Sequence, residues 1–224
     1  MRKILYNNGD KMTTILMVRH GESEANRNKV FAGNLDADLQ HRGEKQAQKT
    51  AEFIANTYKV DKIYASDLKR AFKTGKALAD LVSVEIVPDC RLREINAGKW
   101  EGETFDDLEK KYPEEYTTWR TDLGNARCTE GESTRELGER ILAILTEIAE
   151  QNDGKTVVIA THATPVRAMQ THCIYGGFGR MQDVKWVSNA SVSEFFFENG
   201  KFSCGKISQD EHLCDLRTVL AANV

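Results

Sequence analysis

Short unbroken apolar runs alternate with amphipathic helical periods along this chain, and that alternation restricts the fold more than any other feature. Thr14-Ile15-Leu16-Met17-Val18 is one such run, of the kind found in a strand buried on both faces. Gln40 to Tyr58 follows a helical period, with Ala47, Ala51 and Ile54 on one face. Lys62-Ile63-Tyr64-Ala65 is a second strand, and Asp67 to Leu81 a helix with Ser66 as its N-cap. Val84 to Val87 stops at Pro88 and reads as an edge strand. Ser133 to Glu150 is strongly amphipathic, with Leu137, Ile141, Ile144, Leu145 and Ile148 in register. Lys155 to Ala160 is another buried strand, and a helix starts at Pro165. Ser191 to Phe197 and Phe202 to Ile207 read as closing strands about a turn at Asn199-Gly200. This order predicts an α/β protein with a mostly parallel central sheet and helices on both of its faces.

At 224 residues the chain suits one large domain, which needs neither disulfide nor metal to hold a core. Lys and Arg total 31 against 34 Asp and Glu, a net charge of −3 that argues against a dedicated nucleic-acid binder. No stretch approaches the ~18 apolar residues of a membrane span, and Met1 to Asn8 has no apolar run of signal-peptide length. The five cysteines form no CxxC pair and read as reduced thiols, which points to the cytoplasm. Nothing spaces His, Cys or carboxylates as a metal cage would, so no metal and no cofactor is expected. Residues 96–132 are the least regular stretch and read as a small helical cap insertion. Trp100, Tyr112, Tyr116 and Trp119 within it are either a wall for substrate or ordinary core aromatics. The tail from Asp210 reads as a loosely packed helix.

Polar residues gather where strands end, which is where open α/β sheets build their sites. The first strand runs into Arg19-His20-Gly21-Glu22-Ser23, the second into Ser66-Asp67-Leu68-Lys69-Arg70, and the strand from Lys155 into Thr161-His162-Ala163. Leu92-Arg93-Glu94 supplies a carboxylate after the third strand. Each piece alone is an ordinary feature of a solvated strand end. Together they suit phosphoryl transfer to a side chain. A neutral imidazole is a competent nucleophile, and neighbouring guanidinium groups keep it unprotonated. Arginine forks match phosphate oxygens in pairs. A carboxylic acid must protonate the departing alkoxide and later take a proton from water.

The same residues resemble the histidine phosphatase superfamily, the phosphoglycerate mutase-like proteins. Arg19-His20-Gly21-Glu22-Ser23 with Asn26 resembles its signature, and Ser66 to Ala71 with Thr74 its second motif. Leu92-Arg93-Glu94 with Gly98 and Trp100-Glu101-Gly102 resembles its acid-bearing segment. Gly131-Glu132-Ser133 with Arg140, Thr161-His162, and Asn189 to Val192 resemble later segments, so the likeness covers roughly 13–200. It implies a three-layer α/β/α sandwich with a domain over 13–208, between an N-terminal arm at 1–12 and a tail at 209–224. It implies a phosphohistidine on His20, a phosphate pocket from Arg19, Arg70 and His162 lined by Gly21, Ser23 and Asn26, and Glu94 as proton donor. Ala32, Gly33 and Ala163 would border the substrate. Two positions depart from the pattern. Ala163-Thr164-Pro165 stands where many relatives carry glycines, and Gly75 stands where they often carry alanine, at a cost of about 1 kcal/mol in helix propensity.

The expected function is a metal-independent phosphomonoesterase acting on a small phosphorylated metabolite. Sugar phosphates, phosphoglycerates, nucleotide-type phosphates and cobalamin-precursor phosphates all stay open. The alternative is a phosphoglycerate mutase using the same phosphohistidine, for which 96–132 is short. A non-catalytic phosphate-binding module fits less well, because both histidines, both arginines and the acid are present. No nucleic acid and no membrane is expected as a partner. The sequence sets no oligomeric state, though a homodimer is common in such folds.

Overall fold

A computed structural model describes residues 11–218. Nearly all of the expected N-terminal arm, 1–10, and the end of the tail, 219–224, lie outside the described residues. Among the described residues six strands form one sheet: β1 (Thr13–Arg19), β2 (Lys62–Ala65), β3 (Ile86–Pro88), β4 (Thr156–Thr161), β5 (Val192–Glu198) and β6 (Lys201–Cys204), in the order β3-β2-β4-β1-β5-β6. The β3–β2, β2–β4 and β4–β1 pairs are parallel, and β5 and β6 add antiparallel strands beyond β1. Pro88 ends the edge strand β3, where its missing N–H costs no ladder bond. The β5–β6 turn places Asn199 at φ 51° and Gly200 at φ 73°, the two positive φ values of a hairpin turn that follows strand twist.

The period of two in β1 decides which helices pack where. Ile15 and Met17 point into a core built with Leu137, Ile141, Ile144, Leu145 and Ile148 of α6 (Thr134–Gln151) and Val166 and Met169 of α7 (Ala163–Tyr175). Leu16 and Val18 point the other way, toward Ala51 and Ile54 of α2 (His41–Thr57) and Leu78 and Ala79 of α3 (Lys69–Val82). The result is three layers, α/β/α. Helix α6 begins with the Ser133–Glu136 capping box, so its start agrees with the sequence reading. Helix α3 begins at Lys69, two residues later than expected, and Leu68 is its N-cap without a side-chain bond. Ser66 is therefore not the cap. The tail differs as well. Glu211–Leu216 is a 3₁₀ segment held down by buried Leu213 and by His212, whose ring stacks on Phe53 at 4.6 Å.

Residues 96–132 contain α4 (Phe105–Lys111) and α5 (Pro113–Thr121). Their aromatics close on one another. Trp100 is fully buried, edge-on to Phe31 at 5.4 Å, to Tyr116 at 5.9 Å and to Trp119 at 5.8 Å. Edge-to-face packing of this kind stabilises beyond the area buried.

Gly75 is also explained by packing. A Cβ there would lie 2.9 Å from both Ala160 Cβ and Ile86 Cδ1, because α3 rests directly on β4 and β3. Gly75→Ala gains about 1 kcal/mol of helix propensity but overpacks a core that does not yield cheaply, at about 1–3 kcal/mol. The expected outcome is a lower midpoint in thermal unfolding; a raised one would show that the sheet gives way.

Candidate active site

Strand β1 and strand β4 lie side by side, yet the helices that follow them go to opposite faces, α2 to one and α7 to the other. This switch point opens a crevice beyond the carboxyl ends of the strands. His20 follows β1 and donates its backbone N–H to the Thr161 carbonyl at 2.9 Å, and His162 follows β4. Their rings meet edge-on with centroids 5.2 Å apart. Ser66 and Arg70 arrive from the end of β2 and the first turn of α3.

The backbone around His20 depends on two glycines. A Cβ on Gly21 would collide with the Gly43 carbonyl, and one on Gly43 would strike the backbone of Glu22. Helix α2 thus presses its first turn against the loop after β1. Gly21 N donates to Thr74 Oγ1 at 3.1 Å, and Thr74 in turn donates to the Arg70 carbonyl at 2.7 Å. Asn189 Nδ2 donates to the His20 carbonyl and to Asn26 Oδ1, each at 3.1 Å.

His20 Nδ1 lies 2.7 Å from the Gly21 carbonyl. A carbonyl only accepts, so Nδ1 carries the proton and Nε2 keeps its lone pair. Burial first, and then the charges of Arg70 and Arg19, hold the His20 pKa well below its ordinary 6.5. The imidazole is neutral at neutral pH, with two cations acting on it. Burial likewise lowers Arg19 to about 10, which leaves it charged.

Each arginine is fixed by backbone carbonyls. Arg19 Nη1 donates to Val187 O at 2.6 Å, while Arg70 Nη1 and Nη2 donate to Leu35 O at 2.7 Å and Gly33 O at 2.8 Å. Each of these nitrogens has a second proton for a ligand oxygen. Among the described residues neither arginine has a carboxylate salt-bridge partner, although Arg70 is fully buried and Arg19 only 6% exposed. Glu94 acts on both as an opposing charge without pairing directly with either; buried positive charge without a direct ion pair is costly, and a bound anion would relieve it. Glu94 stands at the rim, with Oε1 accepting Ile95 N at 2.9 Å and Oε2 accepting Thr164 N at 3.3 Å from the first turn of α7.

The other candidates divide by what they still offer. Asn26 Oδ1 is occupied by Ser23 and Asn189, which leaves its amide nitrogen as the group able to donate to a ligand. Ser23 is fully buried and its hydroxyl is engaged with Asn26, so it shapes the capping box of α1 (Glu24–Arg27) instead of presenting a free group. Ala32 and Gly33 lie on the loop gripped by Arg70, and Ala163 is the buried first residue of α7. Sequence reasoning missed Arg167 and Trp186. Arg167 is 8% exposed, donates to Met181 O at 2.8 Å and stacks 4.9 Å from the Trp186 ring, which Arg19 also faces at 5.5 Å. Glu94 also lines a groove of about 600 Å³ together with Asn34, Arg93, Asn96, Arg127, Glu132 and Arg140 among others; none of the lining residues is aromatic, and His20, His162, Arg19 and Arg70 are not among them. Among the described residues no group of three or more His, Cys, Asp and Glu is placed to hold a metal ion, and no helix is long and apolar enough to cross a membrane.

Comparison with known proteins bears on the family and the fold. The family model of the histidine phosphatase superfamily (branch 1) matches residues 15–210. Phosphoserine phosphatase 1 of Hydrogenobacter thermophilus is 34% identical over 158 residues, 70% of this chain and 74% of its own. Phosphoglycerate mutase-like protein 4 of Arabidopsis thaliana is 31% identical over 204 residues, 89% of this chain and 86% of its own. The solved structure of Bacillus stearothermophilus YhfR superposes with a TM-score of 0.85 at 24% identity, covering 90% of this chain and 99% of that one.

Proposed function

The chain belongs to the histidine phosphatase superfamily, and from that premise we propose that it hydrolyses a small phosphomonoester through a phosphoryl group carried on His20. The observation that carries this reading is the His20 ring. Its Nδ1–H is tied to Gly21, and its Nε2 lone pair is kept free among buried cations.

In the proposed reaction His20 Nε2 attacks phosphorus and the ester P–O bond breaks. Arg19, Arg70, His162 and Asn26 hold the non-bridging oxygens, whose charge builds in the transition state. Glu94 gives its proton to the departing alkoxide, and the alcohol leaves. Water then attacks phosphorus, Glu94 takes the water proton, and the N–P bond breaks to release phosphate and restore His20. The catalytic unit is 13–208, with 96–132 flanking the substrate side.

Two features favour hydrolysis over mutase chemistry. A mutase must keep water from the phosphoenzyme, whereas the groove beside Glu94, the proposed proton donor, is wide and polar. Its arginines are also taken, Arg93 by Asp67, Arg127 by Glu136 and Arg140 by Glu132, so among the described residues no unmatched cation lines it for a second phosphate. A lining without aromatic rings suits a compact polar leaving group such as that of O-phosphoserine, the substrate named for the Hydrogenobacter relative, better than a nucleoside.

The test is a panel of phosphorylated metabolites, including O-phosphoserine and 3-phosphoglycerate, assayed in parallel for free phosphate and for phosphoglycerate isomerisation. Phosphate release that survives EDTA is expected. Isomerisation without release would favour the mutase, and loss on EDTA with restoration by a divalent ion would refute metal-independent chemistry.

A further inference from the structure

Ser66 follows β2 and is fully buried, its backbone N–H bound to the Ala160 carbonyl at 2.9 Å. Its Oγ lies 2.9 Å from His162 Nε2 and 3.4 Å from Leu68 N. The Leu68 amide can only donate, so Oγ accepts there. Among the described residues, His162 Nε2 is the one acceptor within reach of the hydroxyl proton. The hydroxyl therefore donates to Nε2. A neutral imidazole has a single ring proton, which this bond assigns to Nδ1. His162 is neutral because burial, with Arg70 next, holds its pKa well below 6.5. Nδ1 itself is buried and has no partner among the described residues, although the ring abuts His20 at 5.2 Å. A buried N–H without an acceptor is a costly arrangement unless a ligand completes it.

We propose that Ser66 is a positioning residue that locks His162 in its Nδ1–H tautomer, so that this N–H donates to an oxygen of the phosphoryl group passing to and from His20. The inference rests on the phosphatase reading and adds to it a residue that never touches the substrate. The opposite tautomer would turn a lone pair toward that anionic oxygen, converting a donor into a repulsive contact. Because α3 starts at Lys69 with no side-chain cap, the Ser66 hydroxyl is free to serve His162.

The wild-type full chain, labelled with ¹⁵N, tests the tautomer directly by long-range proton–nitrogen correlation at neutral pH. A pyridine-type Nε2 and a pyrrole-type Nδ1 are expected for His162; a protonated Nε2 would overturn the proposal. Kinetics supply the second arm. With p-nitrophenyl phosphate, Ser66→Ala should lower kcat about 10–100-fold, somewhat less than the direct removal of an oxyanion donor, with a smaller change in KM. Inhibition by orthovanadate should weaken by a similar factor, and Ser66→Thr, which keeps the hydroxyl, should recover most of both. Unchanged kcat and vanadate affinity in a folded Ser66→Ala variant would also overturn it. The NMR measurement needs neither substrate nor variant. If no phosphoester is turned over, the phosphatase reading fails while the tautomer is still decided.

Discussion

His20→Ala is expected to abolish turnover, a loss of at least about 10⁴-fold of the size seen when a covalent nucleophile is removed. It should also abolish the trapped intermediate. Wild-type enzyme mixed with a ³²P-labelled substrate and quenched in denaturant should carry phosphate that is released by acid and survives base, as an N–P bond requires. The variant should carry none. The substitution leaves the local backbone supported, because the His20 N–H and carbonyl are held by Thr161 and Asn189 and do not depend on the ring. An unchanged label in the variant would move the nucleophile elsewhere. The pH profile gives a further check. A histidine buried beside Arg70 and Arg19 protonates only well below pH 6.5. The acid limb of kcat/KM should therefore fall well below pH 6.5, because protonation consumes the Nε2 lone pair. A limb centred at 6.5 would mean that the nucleophile is solvated.

The parts of this site that the sequence displays are those carried on strand ends. Arg19-His20, Ser66 to Arg70 and Thr161-His162 each follow an apolar run, and parallel pairing brings such ends to one rim whatever the details of packing. What the sequence hides depends on contacts between distant segments. Ser66 looks like a helix cap, since serine before a helical period usually is one. Only the approach of β4 to β2 reveals that His162 takes its hydroxyl. Gly43 is silent in a helical pattern because its reason is the backbone of Glu22, twenty-one positions earlier in the chain. Nothing in the sequence marks Arg167, because its burial follows from the loop carrying Met181 and Trp186. Trp100 and its neighbours were legible as aromatics but not as a cluster, because Phe31 joins them from outside the insertion.

Glu94→Gln is the second substitution with a large expected effect, and its value lies in how the loss depends on the leaving group. An alkoxide departing from O-phosphoserine is a strong base and needs a proton as the P–O bond breaks. Without the acid, kcat/KM for such a substrate should fall on the order of 10²–10⁴-fold. p-Nitrophenolate leaves readily unprotonated, so kcat/KM for the aryl ester, which reports the steps up to phosphorylation of His20, should fall far less. The second half-reaction behaves differently. Water attacking the phosphohistidine still needs a base, whichever ester supplied the phosphoryl group. The Gln variant should then release nitrophenol in a burst and accumulate labelled phosphoenzyme, whereas wild type turns over steadily. The amide can accept one of the two N–H bonds that Glu94 now accepts from Ile95 and Thr164 but opposes the other with its own NH₂. A purely structural role predicts that this mispairing loosens the first turn of α7 and depresses both esters alike. Equal losses in kcat/KM, with no burst and no accumulated label, would assign Glu94 to that role and leave the proton donor to be found elsewhere along the groove.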